Sequence, residues 1–177
     1  MPKLLLLLMV FLTGCTIRAP QLAYLFDEGP TQNPLAEYQW TLSYGAYQKH
    51  VYAIEVPNGL VFANEFDDAL LFDGKEIIRV VKIGQELGFV DVSHQILAVG
   101  GVEKVFTTGN KPVMTHQCTG WILTTPLNYE QQCHTPLGQR YVNKKRYSKS
   151  GELVMLQMVL GDIKHSVSIT RGLLSQG

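Results

Sequence analysis

Alternation of apolar and polar residues with a period of two is the feature that most constrains the fold, and it begins at Tyr38. Successive side chains of a β-strand point to opposite faces, so this period predicts strands that are buried on one side. Turn signals rich in Gly, Pro, Asn and Asp recur about every eight to twelve residues, and no helical pattern of about ten residues follows Tyr38. We therefore expect an all-β domain, mainly antiparallel sheet, folded as a sandwich or an open barrel.

The local pattern places strands and turns along this domain. We expect strands over 39–44, 51–56, 60–63, 69–72, 77–83, 119–125, 139–147, 152–160 and 164–170, with shorter candidates at 89–90, 95–99 and 102–107. Asp73-Gly74 separates two of the strands and suits a two-residue type I′ turn, whose twist matches that of a hairpin. Residues 126–136 are expected to form a loop.

The amino terminus has the pattern of a cleaved export signal. Lys3 precedes an unbroken apolar run from Leu4 to Leu12, which is well short of the ~20 residues that span a bilayer. The following Leu12-Thr13-Gly14-Cys15 resembles the lipobox of bacterial lipoproteins. That resemblance implies cleavage of residues 1–14, lipid on Cys15 and a mature domain outside the cytoplasm; the alternative is an ordinary secretory signal with a stray cysteine.

Residues 15–37 are expected to form a lipid-anchored tether and a short helix, ahead of the β domain at 38–177. Leu22, Leu25 and Phe26 have helical spacing, and Asp27-Glu28-Gly29-Pro30 ends the pattern. Several acyl chains make a durable anchor. Since Thr16, and not the aspartate associated with inner-membrane retention, follows the cysteine, we expect attachment to the outer membrane, facing the periplasm.

The remaining cysteines, Cys118 and Cys133, form an even pair in an oxidising compartment, so a disulfide between them is expected. His116-x-Cys118 and Cys133-His134 could instead bind zinc or copper. Adjacent residues of a strand point apart, however, and an oxidising environment disfavours thiolate ligation. We therefore favour the disulfide and expect no metal.

Charge gives a weaker indication of a partner. The chain has fifteen basic and fifteen acidic residues, so the total does not favour nucleic acid. The segment after Gly138 is nevertheless cationic, and it contains Arg140, Lys144 and Arg146. These residues are candidate contacts for a saccharide or another partner, or else one solvated strand face.

Four aromatic residues are candidates for the same contact, because exposed aromatic rings stack on sugars. They are Trp40 and Tyr44 in the first predicted strand, and Trp121 and Tyr129 on either side of the expected disulfide loop. Aromatic residues of strands more often fill the core, which is the competing interpretation.

The sequence offers no evidence for catalysis. It lacks the nucleophile-elbow, zinc-protease, phosphate-loop and dinucleotide-binding motifs. Asp67 with Asp68 and Asp73 with Glu76 are carboxylate pairs, but neighbouring strand residues diverge and Asp73 suits a turn. We expect no enzyme activity and no cofactor.

Three segments together resemble the YjbF/GfcB family of bacterial lipoproteins, which is linked to exopolysaccharide and group 4 capsule production. They are Leu25-Phe26-Asp27, the run from Asp68 to Lys75 leading into Val80-Val81-Lys82-Ile83, and the closing hairpin from Tyr141 through Ser150-Gly151-Glu152 to Ile169. The resemblance implies a β-rich outer-membrane lipoprotein that assists polysaccharide assembly or export, with the polysaccharide or export proteins as partners.

The alternative is a periplasmic lipid carrier or envelope scaffold. A polysaccharide role predicts that the aromatic residues and the cationic segment line one exposed groove, whereas a lipid carrier predicts an apolar cavity inside the sheet.

Overall fold

The structure, a computed structural model, describes residues 38–97, 100–109 and 111–173. These residues form thirteen β-strands: β1 Tyr38–Tyr44, β2 Tyr47–Val56, β3 Gly59–Ala63, β4 Ala69–Phe72, β5 Ile77–Lys82, β6 Val90–Ile96, β7 Val102–Thr108, β8 Lys111–Cys118, β9 Ile122–Thr125, β10 Asn128–His134, β11 Arg140–Tyr147, β12 Leu153–Val159 and β13 Ser166–Leu173. The all-β prediction is confirmed. The predicted signal peptide, Cys15 and the short helix lie outside the described residues.

The sheet closes on itself. Strands β1 to β8 pair antiparallel in sequence order, β8 pairs with β10, and β10 to β13 continue round the sheet until β13 pairs with β1. The last pairing runs from Tyr38 opposite Leu173 to Tyr44 opposite Val167. Over the described residues this gives a twelve-strand antiparallel barrel that is closed, where the sequence suggested a sandwich or an open barrel. Strand β9 lies outside the ring, on the edge of β10 beside the end of β8.

The inside of the barrel is filled by side chains from opposite walls. In the order of the strands β5 and β12 are half a circuit apart, yet the backbone N–H of Ile77 donates to Sδ of Met158 at 3.3 Å. The alternation expected from the sequence supplies this core, and its large, fully buried members include Trp40, Leu42, Phe62, Leu70, Ile77, Leu156 and Ile169. Burying one such side chain contributes about 1.5–3 kcal/mol.

Two local predictions were wrong around the disulfide. The expected loop 126–136 contains β10, which pairs with β11 from Asn128 opposite Arg146 to His134 opposite Arg140. The expected strand 119–125 begins only at Ile122. Residues 119–121 form an irregular link between β8 and β9, so β10 has two different strands along one edge.

The turn between β4 and β5 also differs from the expected two-residue turn. Phe72 lies opposite Ile77, so the connection is four residues long. Asp73 organises it, because its Oδ1 accepts the backbone N–H groups of Lys75 at 2.8 Å and Glu76 at 2.7 Å. Glu76 is directed into the barrel as a result, which sets the position of the polar cluster described next.

No helix in residues 38–97, 100–109 and 111–173 has the length and apolarity needed to cross a membrane.

Candidate functional site

The barrel carries two polar regions around β10 and β11, one inside the wall and one outside it. Strand β11 separates them by simple alternation: Arg140, Lys144 and Arg146 are exposed on the outer face, whereas Lys145 is buried on the inner face. The three basic residues singled out in the sequence are therefore on one surface, and a fourth, which was not singled out, is on the opposite side.

Two of the four aromatic candidates are not available for contact. Trp40 is 0 % exposed and Tyr44 is 6 % exposed, and both belong to the core. The ring of Trp40 packs edge-on against Phe62 with centroids 4.9 Å apart. The prediction that Trp40 and Tyr44 contact a saccharide or partner was wrong, because their strand directs them inward.

The other two aromatic candidates, Trp121 and Tyr129, surround a lysine of the same chain. The Nζ atom of Lys145 lies 4.3 Å from the ring centroid of Trp121 and 5.8 Å from that of Tyr129. Burial lowers the pKa of Lys145, against the opposing effect of the Glu76 charge. The ammonium group of Lys145 therefore occupies the faces of these two rings. The expected single groove of aromatic and cationic residues is not formed, since Arg140, Lys144 and Arg146 lie on the other side of the sheet.

The cysteine pair lies at the join between β8 and β10, which has only two register pairs in the described residues, as does the join between β5 and β6. The sulfur atoms of Cys118 and Cys133 are 2.08 Å apart, at disulfide distance. Beside them only one further pair, Gln117 opposite His134, has a register position between β8 and β10. The crosslink thus closes the ring at a narrow join.

The alternative metal site does not assemble. His116 is buried inside the barrel and His134 is exposed outside it, while the two sulfur atoms are bonded to each other. In the part of the chain that the structure describes, no group of three or more His, Cys, Asp or Glu side chains is arranged to hold a metal ion.

The irregular link between β8 and β9 brings Trp121 into the inner polar region. The backbone N–H of Thr119 donates to the carbonyl of Gln132 at 2.8 Å, so pairing with β10 continues for one residue beyond the disulfide. The chain then departs from regular register, as in a bulge, which redirects side chains. Trp121 consequently donates its Nε1–H to Oε1 of Glu76 at 3.1 Å.

Glu76 is the centre of the inner polar region. Its Oε1 accepts hydrogen bonds from Trp121 and, at 3.3 Å, from Gln131, and its Oε2 contacts His94 at 2.9 Å and the ammonium group of Lys104. Burial opposes ionisation, but the hydrogen bond to His94 and the charge of Lys104 outweigh it and lower the pKa of Glu76 to about 2. The carboxylate is held ionised and has a partner on each oxygen.

Amide side chains complete the inner region. Oε1 of Gln131 accepts from Nζ of Lys104 at 2.6 Å and from Nδ2 of Asn143 at 3.1 Å. Oδ1 of Asn143 in turn accepts the backbone N–H of Val159 at 2.9 Å, beyond the residues of β12 that pair with β11. The region therefore ties β7, β10, β11 and β12 to the β4–β5 turn, and its polar groups are used within the protein.

His116 is buried next to this region and has one uncommitted nitrogen. Its Nδ1 lies 2.6 Å from the hydroxyl of Tyr141, whereas Nε2 has no hydrogen-bond partner among the described residues. Burial and the nearby Lys104 charge lower the pKa of His116 to about 4, so the ring is neutral near pH 7. Burial likewise raises the pKa of Tyr141.

The outer region is a depression of about 730 Å³ over the disulfide. One wall is the β6–β7 connection with Leu97 and Gly101, and the other is the start of β11. Outward-facing side chains of β8, β10 and β11 line it: Gln117, Gln132, His134, Arg140 and Val142. We call these five residues and the space between them the outer groove.

The polar side chains of the outer groove are uncommitted. Gln117, Gln132, His134 and Arg140 form no side-chain hydrogen bond or ion pair with any residue that the structure describes. Lys144, farther along the same face of β11, is instead 3.2 Å from the carboxylate of Glu130. Exposed donors and acceptors around a concave surface are what a polar ligand requires.

Among the residues of the outer groove, Arg140 was predicted as a contact and His134 only as a possible metal ligand, whereas Gln117 and Gln132 were not identified from the sequence. Gln117 lies on β8, which was not predicted, and Gln132 and His134 lie on β10, which was predicted as a loop. The alternating residues of 128–134 could have indicated a strand, but both faces of β10 are largely polar.

Comparison with known proteins supports the fold alone. The chain is similar in structure to the hypothetical lipoprotein YmcC from Escherichia coli K12, with a TM-score of 0.54 and 13 % sequence identity over 89 % of this chain and 95 % of that one. No protein-family model matches the sequence, and no curated protein matches it.

Proposed function

We propose that the chain is a lipid-anchored lipoprotein of the bacterial envelope, attached through Cys15 to the outer membrane on its periplasmic side. Two independent observations support this proposal. The sequence Leu12-Thr13-Gly14-Cys15 resembles a lipobox, and the β domain shares its fold with a protein described as a lipoprotein. Cys15 itself is outside the described residues.

We further propose that the protein does not catalyse a reaction but assists the assembly or export of a surface polysaccharide. The observation that carries this is the outer groove, whose polar side chains have no partner among the described residues. Its amides, imidazole and guanidinium suit the hydroxyl and carboxylate groups of sugars. The resemblance to the YjbF/GfcB family points to the same process.

The inner polar region supports a non-catalytic role. A general acid or base has to exchange a proton with a substrate and therefore needs a pKa near the working pH. Glu76 instead has a pKa of about 2 and is held by four donors. A carboxylate held in this state is not suited to exchange a proton with a substrate.

The packing of the barrel speaks against the lipid-carrier alternative. A carrier of this shape needs an apolar space inside the sheet. Here Ile77 and Met158 of opposite walls are in contact, and large side chains such as Trp40 and Phe62 are fully buried between them. The outer groove remains compatible with an envelope scaffold, which is the second candidate.

Attachment is tested by metabolic labelling with an alkyne analogue of palmitate, followed by separation of inner and outer membranes. We expect label on the wild type in the outer-membrane fraction and no label on Cys15→Ser. A matched variant, Cys118→Ser with Cys133→Ser, should keep the label. Label on the Cys15→Ser variant would contradict the proposal. So would recovery of the wild-type protein in the inner-membrane fraction.

The polysaccharide role is tested by deleting the gene in the bacterium that encodes it and measuring surface polysaccharide. We expect a loss that the wild-type gene restores and the Cys15→Ser gene does not. Unchanged polysaccharide, together with altered assembly of an envelope protein complex, would favour the scaffold.

A further inference from the structure

We infer that the outer groove binds a carboxylate-bearing saccharide and that Arg140 is the residue that pairs with the carboxylate. This inference rests on the proposed polysaccharide role and specifies the chemical class of the sugar. It does not involve the aromatic residues that the sequence suggested, since these face the inside of the barrel.

The identity of the cation is the first reason. Arg140 is exposed, lies at the groove and has no ion-pair partner among the described residues. Two other basic side chains on the outside of the barrel are occupied: Lys144 contacts Glu130 at 3.2 Å, and Nε of Arg79 contacts Asp91 at 2.6 Å. Arg146 also has no ion-pair partner among the described residues, but it lies outside the groove. A guanidinium presents two parallel N–H donors that match the two oxygens of a carboxylate.

The chemistry around Arg140 is the second reason. His134 lies directly opposite Arg140 in the β10–β11 register, and Gln117 lies opposite His134 in the β8–β10 register. The three residues therefore form a row across three strands, with neighbouring strands about 4.8 Å apart. An amide both donates and accepts, which suits sugar hydroxyls, while the guanidinium only donates. This row combines sites for hydroxyls with a site for a carboxylate.

The size and rigidity of the groove are the third reason. A volume of about 730 Å³ is within the range of ligand-binding clefts, ~300–1,000 Å³. Its base is the join between β8 and β10, where the disulfide fixes the strands. Val142, half-exposed between Arg140 and Lys144, provides apolar surface for a sugar ring. A preformed site loses less entropy when a ligand binds.

Calorimetry tests the inference with full-length lipidated protein in detergent micelles. The probe is the trisaccharide of galacturonic acid, and its fully methylated ester is the matched neutral probe. We expect the acid to bind and the ester to bind at least about tenfold more weakly, because a hydrogen bond to a charged group is lost.

Variants locate the site. Arg140→Gln should weaken binding of the acid by about tenfold or more, and Arg140→Lys should recover only part of it. Arg146→Gln, which removes the same charge from the same face of β11 outside the groove, should bind within about twofold of the wild type. Unchanged circular dichroism of each variant shows that its fold is retained.

Several results overturn the inference. No binding of the acid, equal binding of acid and ester, or equal losses for Arg140→Gln and Arg146→Gln would each exclude a carboxylate site at Arg140. Equal binding of acid and ester that Arg140→Gln leaves intact would retain a saccharide role and remove only the charge requirement. The proposed function itself fails on different evidence, namely unaltered surface polysaccharide in the deletion strain.

Discussion

Single residues inside the barrel carry charge that is almost entirely enclosed by protein. Glu76 and Lys104 form an ion pair with side chains 8 % and 1 % exposed. Breaking such a pair by removing one partner leaves a buried charge uncompensated, which costs much more than the loss of a surface pair. The inner polar region is therefore sensitive to single substitutions in a way that the outer face is not.

Glu76→Gln tests this difference. We expect the free energy of unfolding in urea to fall by about 3–5 kcal/mol, since Lys104 loses its counter-charge in a buried position. Glu130→Gln, which removes the exposed partner of Lys144, should cost less than about 1 kcal/mol. Adding Lys104→Met to Glu76→Gln should recover part of the loss. Equal effects of the two glutamate variants would show that water reaches the inner region.

Two residues make stability depend on pH in the same direction. The pKa of His116 is lowered from 6.5 to about 4 and that of Glu76 from 4.5 to about 2. Both groups bind fewer protons in the folded state, so each contribution is complete above the unfolded pKa and is lost as the pH falls through the folded value. Acid should destabilise the protein in two overlapping steps, the first between pH 6.5 and 4 and the second between pH 4.5 and 2.

The first step belongs to His116. We expect unfolding free energy to fall by about 3 kcal/mol between pH 6.5 and 4 in the wild type, because a depressed pKa of this size has that linkage energy. His116→Gln keeps a hydrogen-bonding group for Tyr141 and should flatten this part of the profile. His50→Gln, at an exposed position of β2, should leave it unchanged. A profile that His116→Gln does not alter would show that other groups cause the loss.

At the scale of elements, the join between β8 and β10 is one of the two shortest pairings among the described strands, the other being that between β5 and β6. It has two register pairs and the Cys118–Cys133 crosslink, whereas β10 and β11 share seven register pairs. Both the outer groove and the inner polar region lie on this join. A loss of order at this join is thus expected to disturb the outer groove and the inner polar region together.

Replacing both cysteines by alanine tests this dependence. We expect unfolding free energy to fall by about 3 kcal/mol, the chain-entropy value for a loop of 15 residues. Amide hydrogen exchange should increase at position 133 and at His134, and remain slow between β1 and β13. Exchange that rises evenly over the whole sheet, with the stated loss, would mean that the crosslink does not act locally.

The elements that could be predicted are those in which one face is apolar. Strand β13 is an example, since Val167 and Ile169 are buried and Ser168 between them is polar, as the alternation indicated. Strand β10 escaped prediction because its inward residues include Gln131, which is fully buried against Lys104. Hydrophobic periodicity cannot detect a strand whose inner face is polar.

The same limit explains the errors at the site. The basic residues of β11 were identified by their charge alone. Charge does not indicate that Lys145 faces the inside of the barrel and Arg140 the outside. Register decides this, and a shift of one residue would exchange the two faces. The disulfide pairing could be predicted from the sequence because only two cysteines remained after Cys15.

For the whole molecule, closure depends on pairings that join distant parts of the sequence. Strands β1 and β13 pair over Tyr38–Tyr44 and Val167–Leu173, so the first and last described strands are neighbours. Local turn chemistry predicts consecutive hairpins but gives no information about such long-range contacts. This is why the sequence could suggest a sheet but not that the sheet is closed.

A circular permutant tests closure directly. Joining Leu173 to Tyr38 by a short glycine-serine linker is feasible because the two residues are opposite each other in an antiparallel pair, about 5 Å apart at Cα. New termini in the exposed turn at Lys149 and Ser150 interrupt no strand pairing. We expect the permutant to show the circular dichroism of a linear 38–173 fragment and a free energy of unfolding in urea within about 1 kcal/mol of that fragment. If β1 and β13 were not paired, the linker would strain the sheet, and the permutant would lose cooperative unfolding while the linear fragment kept it. If the permutant and the linear fragment both failed to unfold cooperatively, residues outside 38–173 would be needed for the barrel to fold. The linear fragment therefore distinguishes an error about closure of the sheet from an error about the extent of the domain.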